Sequence, residues 1–303
     1  MNNSSGFPPM TLMPLPEVIA WCSAYVIVDA LIVIGNALTL AVFYTNKRLL
    51  RMRANYFLVN LAIADLFVGI IAVPIFTYYL AAASKRGHVV WNEYPYQIAK
   101  VLDIFIGCAS IFTLAIIALE RAFSVCFPHV HRGIGKKSYM NMIAVVWVLS
   151  FLMAVLRTLF IAEEIGFNVF FYFLIVSFCI SIILICISYP VIGIRMNYRF
   201  ANVEKHRKKN DHDRRLALML FIVTTIFIFT WLPFHILNVV TFFCRSCRSM
   251  PNELPYIIKL LHYGNSCVNP IIYSYLVPEF RRTVIKLFCG KNKRKAYAST
   301  QLS

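Results

Sequence analysis

The chain has 303 residues, of which 60% are hydrophobic and only 14% charged, with a formal net charge of +17. So few charged side chains cannot cover the surface of a water-soluble domain, which excludes an ordinary soluble enzyme or nucleic-acid-binding module. The apolar residues instead gather in long runs, each near the roughly 20 residues that cross a hydrocarbon core of about 30 Å.

Residues 1–17 lack a basic residue and an apolar core, so they do not read as a cleaved signal peptide. Asn2 and Asn3 each open an N-x-S glycosylation acceptor, which fits an exposed extracellular tail. Apolar spans follow at 18–44, 55–83, 94–125, 139–162, 167–194, 216–243 and 254–277. They form one membrane domain over 18–277, an all-α bundle of seven transmembrane helices. Residues 278–303 form a cytoplasmic tail. Its start, PEFRRTVIKLFC, puts Phe280, Val284 and Leu287 on one face and basic residues elsewhere. That pattern predicts a short amphipathic helix lying on the membrane, with Cys289 either palmitoylated or a free thiol.

Basic residues orient the bundle. Lys47, Arg48, Arg51 and Arg53 follow span one, and Arg121, Arg132, Lys136 and Lys137 follow span three. The segment MNYRFANVEKHRKKNDHDRR and the tail hold most of the rest. This predicts an extracellular N-terminus, a cytoplasmic C-terminus and a plasma-membrane location. Anionic inner-leaflet lipids account for much of the positive charge. That long cytoplasmic segment is expected to be mobile or a helical extension, whereas the link near AEEIG after span four is very short. Cys244 and Cys247 share an outer loop, where a small disulfide is favoured over a lone zinc site.

Three acids lie inside spans, where an ionisable group is costly and functional by default: Asp29, Asp65 and Asp103. Asp29 is expected to hydrogen-bond polar groups on span two or seven. Asp65 can join Asn265, Ser266 and Asn269, which cluster just before Pro270 on span seven; these side chains either repair the proline kink or, with the acid, replace the hydration shell of a small cation. Asp103 precedes Arg121 by 18 residues, about 27 Å of helix at 1.5 Å per residue. One helix thus joins an outer acid to an inner cation. Asp103 is either the counter-ion of a cationic ligand, with Gly107 leaving space beside it, or a structural partner of Lys100 or Lys259. Arg121 has two candidate partners, Glu120 and Asp213. On span six, Phe227, Trp231, Phe234, His235 and Asn238 recur at helical spacing around Pro233 and suit a cavity wall.

These positions resemble the rhodopsin-like (class A) G-protein-coupled receptors along essentially the whole chain. The matching motifs are IGNAL with Asn36, NLAIADL with Asp65, ALERA with Arg121, Trp147, FTWLP, and NPIIY followed by PEFRR. The resemblance implies a receptor for an extracellular small molecule, coupled to a heterotrimeric G protein, with no catalytic residues and no nucleic-acid partner. It implies no cofactor beyond an allosteric sodium ion at Asp65, Ser110, Asn265, Ser266 and Asn269. Glu120, Arg121 and Asp213 would form the resting lock. Ile111, Phe227 and Trp231 would form the packing switch, and Tyr189, Pro270 and Tyr273 would take part in activation.

The chain departs from the pattern in places. Tyr96 stands where the family has its outer cysteine, so the usual tethering disulfide cannot form; Ala122 and Ser181 replace a tyrosine and a proline. The short second outer loop resembles that of melanocortin receptors. His235, Asn238 and the Cys244/Cys247 loop resemble adenosine receptors, whose asparagine holds the adenine ring. Asp103, Tyr263 and Phe234 resemble biogenic amine receptors, and Ser177 on span five joins the same expected pocket. The leading expectation is a cationic amine held by Asp103, with a nucleoside held by Asn238 and His235 as the alternative. A peptide ligand is disfavoured. Opsins are too, because Tyr263 takes the retinal-lysine position. A transporter is disfavoured by the lack of repeated, broken spans, and an intramembrane enzyme by the lack of H-E-x-x-H or paired Gly-rich aspartates.

Overall fold

The computed structural model describes residues 13–83, 93–202, 207–244, 251 and 253–289, and every regular element among them is helical. In chain order these are α1 (Leu15–Thr45), α2 (Asn55–Phe67), α3 (Val73–Ala83), α4 (Glu93–Cys126) and the short α5 (Pro128–Gly133). They continue with α6 (Lys136–Ile161), α7 (Phe167–Asn202), α8 (Arg207–Phe243), α9 (Leu254–Leu276) and α10 (Pro278–Cys289). Among the described residues, six helical stretches are long and apolar enough to cross a membrane: Leu15–Thr45, Asn55–Ala82, Pro95–Cys126, Lys136–Ile161, Phe167–Arg195 and Phe221–Phe243. The long basic segment is helical at both ends, through Asn202 and again from Arg207. Residues 203–206 lie outside the described residues.

The span expected as one helix over 55–83 is two helices joined by a π turn, Val68–Ala72. Its cause is Pro74, whose ring nitrogen cannot donate to Ile70 and whose ring crowds that carbonyl. The widened turn just ahead of the proline absorbs the misfit. Gly69 within it faces α1, where a Cβ would sit 2.7 Å from Val33 Cγ2 and 3.2 Å from Asp29 Oδ1. Asp29 meets no hydrogen-bonding group there: its Oδ1 is buried with no partner, so the expected bond to span two or seven is not made by that oxygen.

Inside a membrane each backbone group must be satisfied by protein, so every proline needs a repair. Pro270 in α9 cannot donate to the Ser266 carbonyl, four residues back. Asn36 of α1 supplies the missing donor: its Nδ2 bonds Ser266 O at 2.9 Å while also bonding Ile32 O at 3.0 Å. Gly35 permits this approach, because a Cβ there would lie 2.9 Å from Pro270 Cγ. α1 is thereby pressed onto the kink of α9.

A second polar knot sits at the centre. Asn60 of α2 donates to Thr113 Oγ1 of α4 at 2.8 Å and accepts from Trp147 Nε1 of α6 at 2.9 Å. The main apolar core includes Phe57, Leu61, Ile111, Leu114, Phe227 and Tyr273. Asn60→Leu removes both bonds, each worth about 0.6 kcal/mol within a membrane bundle. We expect the solubilised protein to melt a few degrees lower, measured by thermal unfolding in detergent, with Thr113→Val giving a smaller drop.

Candidate functional site

α4 carries Asp103 near one end and Arg121 near the other, so the bundle has two polar sites joined by one helix. At the first, α9 answers α4. Lys259 Nζ lies 2.6 Å from Asp103 Oδ2, and the Tyr263 hydroxyl donates to Asp103 Oδ1 at 3.3 Å. Of the partners considered for Asp103, the geometry realises Lys259. The carboxylate expected to meet a ligand's cation is therefore balanced by a lysine of the same chain. Lys259 also stands over two rings, 4.9 Å from the Phe234 centroid and 4.4 Å from that of Tyr263.

Beneath this pair lies an aromatic stack. His235 lies 3.6 Å from Phe178 and 5.9 Å from Trp231, nearly parallel to both. His262 sits 4.3 Å from Trp231 and 4.8 Å from Phe234. Trp231 then stacks on Phe227 at 4.8 Å, and both belong to the apolar cluster that contains Ile111. Four ring nitrogens here are buried with no hydrogen-bond partner: Trp231 Nε1, both of His235, and His262 Nδ1. The Asn238 side chain, one turn beyond His235, is half-buried and makes no hydrogen bond among the described residues. Buried polar groups left open in this way mark a place where something polar belongs.

Two expectations about this end need correcting. Gly107 does not leave room for a ligand: a Cβ there would lie 3.2 Å from Trp231 Cη2, so the missing side chain lets the indole press against α4. Ser177 has its hydroxyl turned onto its own helix, donating to Leu174 O at 2.9 Å. His262 was missed from sequence, although it falls three residues after Lys259 and four before Ser266, on the inward stripe of α9.

Between the two ends lies Asp65, wholly buried. Ser266 Oγ donates to its Oδ1 at 2.7 Å and Asn269 Nδ2 to its Oδ2 at 2.8 Å. Ser110 and Asn265 are buried nearby but otherwise engaged: Ser110 donates to Ile106 O at 3.3 Å, and Asn265 accepts from Thr230 at 3.4 Å. Among the described residues Asp65 has only neutral partners, one serine hydroxyl and one amide, so no side-chain cation answers its carboxylate.

At the far end Glu120 gathers three donors. Arg121 Nε approaches at 2.6 Å, His131 Nε2 at 2.7 Å and the Tyr139 hydroxyl at 2.8 Å. The pairing of Glu120 with Arg121 was expected. His131 of α5 and Tyr139 of α6 were not, since nothing in their spacing ties them to Glu120. Tyr189 packs edge-on to Phe221 at 5.6 Å, and Tyr273 has a buried hydroxyl with no partner. The side chains of Asp213 and Cys289 lie outside the described residues, as do Asn2, Asn3 and Cys247; Cys244 is disulfide-bonded.

Both the motifs and this geometry agree with the comparisons to known proteins. The profile of the 7 transmembrane receptor (rhodopsin family) matches residues 35–273. The chain belongs to that family. It is 26% identical to adenosine receptor A2a of Homo sapiens, across 91% of this chain and 73% of the relative. It is 28% identical to adenosine receptor A3 of Canis lupus familiaris, across 87% of this chain and 90% of the relative. It is also 27% identical to the tachykinin-like peptides receptor 99D of Drosophila melanogaster, across 82% of this chain but 52% of the relative. The chain is thus a multi-pass class A receptor resembling adenosine receptors, and not an enzyme.

Breaking one partner of a buried ion pair leaves an uncompensated charge, whereas replacing both partners removes that penalty. With Lys259 and Asp103 side chains 11% and 25% exposed, we expect Asp103→Asn alone to cost on the order of 2 kcal/mol. Asp103→Asn with Lys259→Gln should restore most of the loss of thermal stability. Strictly additive losses would show that the two side chains act independently.

Proposed function

We propose that this receptor binds a purine-nucleoside-type ligand at its outer end and activates a heterotrimeric G protein at its inner end. The observation that carries the ligand reading is the set of open ring nitrogens around His235, with Asn238 one turn outward. A flat heterocycle suits this environment: it can stack on histidine and phenylalanine faces while its nitrogens exchange hydrogen bonds with Asn238 and His235. The adenosine receptors among the relatives support the same reading. The amine alternative loses its chief support, because Lys259 occupies the carboxylate that an ammonium ligand would need.

The family supports the same reading for the rest of the receptor. α9 is the seventh span, α10 an amphipathic helix on the inner leaflet with Cys289 as its lipidation site, and the N-terminus is extracellular at the plasma membrane. A sodium ion beside Asp65, with Ser110 and Ser266, holds the resting packing. Glu120 restrains Arg121 until agonist binding releases it for the G protein.

Membranes from expressing cells, assayed for GTP exchange, test the ligand. Adenosine or a close nucleoside should stimulate exchange, and Asn238→Ala should weaken its potency by at least tenfold, a cost of about 1.4 kcal/mol. A response confined to amines, unaffected by Asn238→Ala, overturns the reading. In the same assay Tyr139→Phe should raise exchange without ligand, by weakening the hold of Glu120 at the inner end. Unchanged basal exchange in a normally expressed variant would remove Tyr139 from the lock.

A further inference from the structure

Arg157 of α6 is the one buried cation at the Asp103 end whose charge no acid answers among the described residues. It is 7% exposed. Its Nη2 donates to Gln97 Oε1 of α4 at 3.0 Å, and its guanidinium lies 4.9 Å above the Phe160 ring and 5.5 Å above Phe170. Its Nε is buried with no hydrogen-bond partner among the described residues. A guanidinium cannot shed its proton to escape such a place. Neutral hydrogen bonds and ring faces compensate it only in part, since a buried charge without a counter-charge is expensive.

The surroundings extend this into a track. Gln97, Lys100 and Asp103 follow at intervals of three along α4, turning about 60° per step from the α6 contact to the α9 contact, so Arg157, held by Gln97, stands about 9 Å along the helix from Asp103. Lys100 lies between, its Nζ 4.3 Å above the Tyr96 ring and within the electrostatic reach of Arg157, Lys259 and Asp103. The track thus begins at the Lys259–Asp103 pair, beside the open nitrogens of His262 and His235, and ends at an unanswered guanidinium. Its length suits a nucleoside-sized body with one acidic end.

We infer that the ligand carries an anionic group, a carboxylate or a phosphate, which Arg157 and Lys259 hold while the heterocycle lies against His235 and His262. This rests on the nucleoside-type reading above and names the ligand class within it. The anion supplies the counter-charge that Arg157 lacks. On its arrival Lys259 shares its ammonium between Asp103 and the ligand, coupling α9 to whatever fills the pocket.

The test uses the full-length receptor in lipid nanodiscs, with binding measured for three compounds that share one ring system: adenosine, adenosine 5′-carboxylate and adenosine 5′-monophosphate. We expect at least one acid to bind ten times more tightly than adenosine. If the carboxylate gains as much as the phosphate, a single negative charge suffices; a gain confined to the phosphate assigns the doubly charged head. Arg157→Gln should reduce the acid to the affinity of adenosine while leaving adenosine within threefold, and the paired change Lys259→Gln with Asp103→Asn should reduce the acid's gain over adenosine at least threefold. Arg157→Lys, which keeps the charge, should retain most of the gain. That pattern separates recognition of charge from a packing role for Arg157, which would weaken all three compounds together. Adenosine binding as tightly as both acids overturns the anionic subsite and leaves the nucleoside reading standing. Absence of binding by all three overturns both.

Discussion

A carbonyl that has lost its own helix's amide must find a donor on another helix, and in this receptor that requirement fixes the centre of the bundle. Pro270 frees Ser266 O, and Asn36 reaches across from α1 to answer it. The contact needs Gly35, since any larger side chain would meet the proline ring. With the α9 backbone so held, Ser266 and Asn269 are turned onto Asp65 of α2. Three helices are thereby drawn together by one missing N–H. Further outward on the same helix, Tyr263 and Lys259 face Asp103 of α4. The polar seam of α9 therefore runs from the Asp103 end to the centre as a consequence of where its proline stands.

The helices themselves were legible because apolar length is a strong signal. Yet α7 ends eight residues beyond its expected span and α8 starts nine residues before its own, because helix continues into polar sequence that hydropathy does not mark. The break at Val68–Ala72 was not, because a π turn leaves no mark on hydropathy, although Pro74 gave its location. At the centre, the grouping of Asp65, Ser266 and Asn269 followed from motif and helical spacing. The knot of Asn60, Thr113 and Trp147 depends on which faces of three separate helices meet, and single-chain spacing carries no such information.

The outer site shows the same division more sharply. Sequence put Asp103, Lys259 and Tyr263 in one neighbourhood but could not choose among their pairings. Choosing required the distance from α9 to α4, and that distance changes the chemistry: a carboxylate facing Lys259 is a latch, where a carboxylate facing solvent would be a receptor for cations. Gly107 misled for a related reason. A glycine signals close approach but not of what, and here the neighbour is the Trp231 indole. At the other end, the ERA motif lacks the family's tyrosine, yet Tyr139 brings a phenol to Glu120 from α6.

α4, like α1 and α6, has no proline beyond its first turn, which sets these three apart from the other long helices. Prolines interrupt the backbone bonding of α7 at Pro190, of α8 at Pro233 and of α9 at Pro270, and a π turn divides α2 from α3. α4 runs for 34 residues, with Pro95 in its first turn and no other proline. It carries both Asp103 and the Glu120–Arg121 pair on this unjointed length. Mechanically it is the stator of the assembly. A force applied at the Asp103 end has little leverage to bend α4 itself, and the jointed helices are the ones with the means to yield around it. The two sites on α4 are set apart by one uninterrupted length of helix.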